Sequence, residues 1–65
     1  MTEQLRVRRI VGLNLTMQQA KQGLARLKRE YPGMAPEEQA TAERWRLKLE
    51  GTVDYCLRAI RQLRS

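Results

Sequence analysis

The segment Tyr31-Pro32-Gly33-Met34-Ala35-Pro36 constrains this chain more than any other, because two prolines and a glycine interrupt a sequence otherwise patterned for helix. Before it, Ile10, Leu13, Met17, Ala20, Leu24, Leu27 and Tyr31 are spaced by alternating threes and fours. After it, Ala42, Trp45, Leu49, Val53, Cys56, Ile60 and Leu63 repeat the device. Each series is the seam of an amphipathic helix packed along a neighbour. Pro32 cannot continue the first helix, Gly33 is suited to the left-handed conformation that closes a helix, and Pro36 fits the first turn of the next. The expected fold is all-α: one domain over residues 1–65, an antiparallel hairpin of helices at roughly residues 3–30 and 37–63, with Trp45 as the main core anchor.

A hairpin gives each helix only one neighbour. At about 25 cal/mol per Å² of apolar burial against roughly 1.5 kcal/mol per ordered residue, a domain this small comes out near zero. Missing burial has to come from elsewhere, and dimerisation into a four-helix bundle is the common solution. Val7, Val11 and Leu15 lie one turn apart on the side of the first helix opposite its seam, and Leu47 is similarly placed on the second. Apolar residues on two sides of a helix predict that both are covered, so these four are the expected protein interface.

Residues 4–11 also admit another organisation, a short strand ahead of a helix that begins at Thr16. Thr16 with Gln19 three positions on is a capping-box pattern, Gly12 and Asn14 before it are poor helix-interior residues, and Leu5 and Val7 alternate with Arg6 and Arg8 as in a short strand. Over residues 4–31 that arrangement resembles a ribbon-helix-helix DNA-binding protein, in which a strand from each subunit pairs and enters the major groove. The continuous helix is preferred, since Ile10 and Leu13 extend the Met17 register backwards and make the two helices equally long.

Several classes of chemistry are excluded by what is missing. There is no histidine and only one cysteine, Cys56, so neither an internal disulfide nor a Cys/His metal site is available from one chain. Cys56 sits on the seam with nothing to activate it and reads as a small buried hydrophobe. Neither a Gly-rich phosphate loop nor a nucleophile–base pair is present. No catalytic residues, cofactor or small-molecule substrate are expected, so an enzyme is not. No apolar run is long enough to span a membrane, and the expected location is cytoplasmic.

Charge supplies the one functional signal. The net charge is +6, with ten arginines to three lysines, and a guanidinium fork grips phosphate or carboxylate bidentately. Folding the second helix back on the first brings Arg6, Arg8 and Arg9 to the same end as Arg58, Arg61 and Arg64. Asp54 can pair with Arg58 one turn away, and Glu3 is the only other nearby acid. Three arginines near a helix N-terminus oppose its dipole, so stability does not explain them. These six arginines are the candidate nucleic-acid-binding residues, since neutralising phosphates releases condensed counterions and needs no shaped pocket. In size and plan the hairpin is similar to the Rop-type plasmid regulators, dimeric hairpins that bind RNA. The function expected is a small, basic regulatory module, homodimeric, that binds nucleic-acid phosphate through its arginine-rich end. The alternative is a phage- or plasmid-type inhibitor or adaptor: an apolar helix face would grip a host protein, and the arginines would steer it to an acidic partner.

Overall fold

In the computed structural model, which describes residues 2–65, Thr2 opens the first helix. Its backbone is extended, its hydroxyl accepts from the Leu5 N–H at 3.4 Å, and its carbonyl accepts from Arg6. Helix α1 then runs unbroken over Glu3–Glu30. The helix start offered by Thr16 is not used: its hydroxyl donates back to the Gly12 carbonyl at 3.0 Å, inside the helix. No strand forms among the described residues, so the ribbon alternative is overturned.

The turn is tighter than expected and uses no left-handed residue. Tyr31–Gly33 form one 3-10 turn, with the Met34 N–H bonded to the Tyr31 carbonyl at 3.1 Å, and no glycine among the described residues has positive φ. Gly33 therefore does not close the helix as proposed from sequence: the Tyr31 N–H bonds to the Leu27 carbonyl, and the 3-10 turn carries the chain out of α1 without a left-handed residue. Ala35 is extended, the conformation a following proline imposes, and Pro36 starts helix α2, Pro36–Arg64. The Glu38 carboxylate accepts from the Ala35 N–H at 3.3 Å, and Gln39 Nε2 donates to the Tyr31 carbonyl at 3.1 Å, pinning the start of α2 to the end of α1.

The helices of 28 and 29 residues lie antiparallel in a rod 49 Å long and 14 by 12 Å across. Their closest approach is at Gly23, where a Cβ would stand 3.1 Å from Leu49 Cδ1. With Leu27 beside Trp45 and Tyr31 beside Ala42, this sets the register. Continued along the pair, it puts Met17 level with Cys56, Leu13 with Ile60 and Arg8 with Arg64. The consequences for glycine differ by position. Gly12→Ala, with nothing within 4 Å of the new methyl, is expected to raise stability by about 0.5–1 kcal/mol through helix propensity. Gly23→Ala is expected to gain less or to lose, since Leu49 must give way; thermal melts of the two variants check this.

The core is thin. Among the described residues only Ala20, Ala42, Cys56 and Ile60 are buried, Cys56 most fully at 1% exposure, while Ile10, Leu13, Met17, Leu24, Leu27, Leu49, Val53 and Leu63 are half-covered. Trp45 is not the anchor expected: it is 53% exposed. The seam at its level is already closed by Leu27, Ala42 and Leu49, which leaves the indole on the flank, where a two-helix pair has nothing to cover it. The chain exposes 5503 Å², whereas a compact monomer of its mass exposes about 4,300 Å². Its radius of gyration is 15.0 Å, against about 11 Å for a compact domain of this length.

Candidate nucleic-acid interface

Charge divides the rod into two halves of different character. The turn half, residues 19–53, carries seven basic side chains against Glu30, Glu37, Glu38, Glu43 and Glu50. Ion pairs form here. Arg26 Nε lies 3.1 Å from Glu30, and Arg46 bridges Glu43 at 2.8 Å and Glu50 at 2.9 Å. The hydrogen bond to Glu43, then that to Glu50, raises the Arg46 guanidinium above its already high ordinary pKa. The sequence carries the signal for these pairs, acid and base three or four residues apart, although composition alone draws no attention to them.

The open half, residues 3–18 and 54–64, holds Arg6, Arg8, Arg9, Arg58, Arg61 and Arg64 against Glu3 and Asp54. All six arginines are exposed, and among the described residues none lies within 4 Å of a carboxylate. Asp54 does not pair with Arg58, although the spacing permits it. The register puts Arg64 level with Arg8, Arg61 with Val11 and Arg58 with Asn14. Arg6 continues the row of Met17, Leu13 and Ile10, one step beyond the last turn of α2. The helix ends treat the two groups oppositely: the C-terminal dipole of α2 favours Arg58, Arg61 and Arg64, while the N-terminal dipole of α1 disfavours Arg6, Arg8 and Arg9.

Val7, Val11 and Leu15 form one row along the first half of α1 and are each about half exposed, at 52%, 51% and 55%. Leu47 is also exposed, but the register sets it level with Ala25. That is ten residues, about 15 Å, further along α1 than Leu15, so the structure does not join it to the row. Trp45 and Tyr55 were not among the interface residues expected from sequence, yet both stand out of the surface. Lys48 Nζ lies 5.5 Å from the Trp45 ring centroid, close enough for a cation–π contact.

Among the described residues no group of His, Cys, Asp and Glu is placed to hold a metal, and no helix is long and apolar enough to cross a membrane. Searches for similarity find no match to this chain in a family model, a curated protein or a solved structure.

Proposed function

We propose that this protein is a non-enzymatic regulatory module of the cytoplasm that binds nucleic-acid phosphate through the arginines of its open end, and that it acts as a homodimer, two hairpins forming a four-helix bundle. The observation that carries the reading is the contrast between the halves. In the turn half three of the five glutamates pair with arginine, and at the open end six arginines stand exposed with no carboxylate within 4 Å among the described residues. Clustered guanidinium groups repel one another unless anions join them, and phosphates spaced along a backbone are suited to that role. The dimer is supported by surface area. Two separate hairpins expose about 11,000 Å², a compact particle of twice the mass about 7,100 Å². The difference, about 3,900 Å² in total, lies within the range of obligate dimers.

Titrating the protein with labelled duplex DNA and duplex RNA over a salt series tests the phosphate reading. Binding is expected to weaken steeply with salt, the logarithm of affinity falling with a slope of up to about −5 on DNA if all six arginines engage. Absence of binding to either duplex at low salt would sink it.

A second reading has an observation of its own, the exposed row of Val7, Val11 and Leu15. In this alternative the row grips an acidic host protein, as an inhibitor or adaptor would. Binding to that partner would depend weakly on salt and be lost in Val11→Asp or Leu15→Asp.

A further inference from the structure

The flank of α2 that carries Trp45 presents a protrusion and hollows of matching character. Thr41, Trp45, Lys48, Thr52 and Tyr55 follow one another by fours and threes, so they share one stripe of the helix. Trp45 stands proud in that stripe, half exposed, with an apolar cleft on each side. Towards the turn, Leu27, Met34 and Ala42 line a cleft of about 270 Å³. On the side of α1, Gly23, Arg26, Leu27, Glu30 and Leu49 line one of about 380 Å³, its floor apolar and the Arg26–Glu30 ion pair on its rim. Gly23 lets the helices approach there and leaves no side chain of its own in the hollow. Tyr55, exposed at 62%, lies about 15 Å further along the same stripe.

We infer that this flank is the surface on which a second copy docks: the Trp45 indole of each protomer seats in the cleft lined by Leu27 and Leu49 of the other, about a two-fold axis crossing α2 between Trp45 and Leu49. The inference rests on the homodimer proposed above and is independent of the arginine reading. A two-fold interface must be self-complementary, and a single patch holding both a knob and a hole for it meets that condition. Antiparallel stacking about this axis carries Tyr55 over the partner's turn, where the smaller cleft beside Met34 opens. Closing two hairpins into a compact dimer would remove about 2,000 Å² from each protomer, an area of the obligate-dimer size. Tryptophan and tyrosine are also the residues that most often dominate interface energies. Arg61 and Arg64, with Arg6, Arg8 and Arg9, then project beyond the contact at opposite ends of the dimer, while Arg58 lies at its edge.

Trp45 is the only tryptophan, so emission excited beyond the absorption of Tyr31 and Tyr55 reports this site alone. The test dilutes the unaltered protein while following its mass by sedimentation and its emission in parallel, and repeats the sedimentation with Trp45→Ala, Tyr55→Ala and Leu15→Ala. A dimer is expected whose emission moves to longer wavelength as it dissociates. Trp45→Ala should weaken dimerisation by at least about thirtyfold, the threshold of an interface hot spot, and Leu15→Ala by less than about threefold. A monomer at every concentration would overturn the dimer and this face together. A dimer whose emission is the same before and after dissociation, or is quenched by single-stranded oligonucleotide as a free stacking ring would be, keeps the dimer and overturns the face. The dilution experiment uses the unaltered chain, so it decides the matter even if Trp45→Ala does not fold.

Discussion

Changing Arg6, Arg8 and Arg9 together to glutamine is expected to leave the hairpin folded and to remove most of its affinity for nucleic acid. Folding should survive because all three side chains are exposed, none lies within 4 Å of a carboxylate, and glutamine is nearly as good a helix former as arginine. Stability should rise slightly, since the positive end of the α1 dipole no longer faces three cations. Binding should respond in the opposite direction. Each phosphate contact adds about 0.9 to the salt slope on duplex DNA, so losing three flattens it by about 2.7 and lowers affinity at 0.1 M salt by on the order of 10²–10³. Circular dichroism checks the first half and a salt series of binding isotherms the second. Unfolding of the triple variant would make these arginines structural, and binding with an unchanged slope would remove them from the interface.

How much of this could be read from sequence depended on whether the feature lies along a helix or around it. The helix limits were legible because proline acts locally: Pro32 and Pro36 bracket the turn whatever surrounds them, and the three-and-four spacing marks the contact line from Ile10 to Tyr31 and from Ala42 to Leu63. Position around the axis was less legible. Trp45 belongs to the seam series, yet it sits on the flank, because Leu27, Ala42 and Leu49 already fill the contact line at its level and a two-helix pair has no further surface to cover an indole. A third or fourth helix would cover it. At Gly33 the turn differs from the expectation because glycine permits the left-handed conformation but does not require it, and a 3-10 turn reverses the chain there instead. At the basic end, hairpin topology places the two arginine groups at one end, but it left open whether Asp54 would pair with Arg58. Such exposed pairs contribute only about 0.3–0.5 kcal/mol, too little to fix a side chain in place.

Ile60→Ala is expected to have the largest effect on stability of any single truncation, about 2–5 kcal/mol, because among the described residues Ile60 is the one large aliphatic side chain the hairpin buries without help. Its burial also bears on the site. Ile60 is level with Leu13, and Arg58, Arg61 and Arg64 are mounted on the same last turns of α2, so the packing of Ile60 is what holds that group of arginines against α1. At the observed sensitivity of small domains, about 4–8 °C per kcal/mol, the melting temperature should fall by at least about 8 °C. Leu47→Ala, which truncates an exposed side chain of similar size, should change stability by no more than about 0.5 kcal/mol. The two kinds of loss separate by concentration. A defect at Ile60 lies inside one hairpin and should persist at high protein concentration, whereas a defect at the Trp45 face acts through association and should be recovered by mass action. If Ile60→Ala melts within 2 °C of the unaltered protein, the end of α2 is frayed in solution, and the arginines there cannot act as a fixed surface with those of α1.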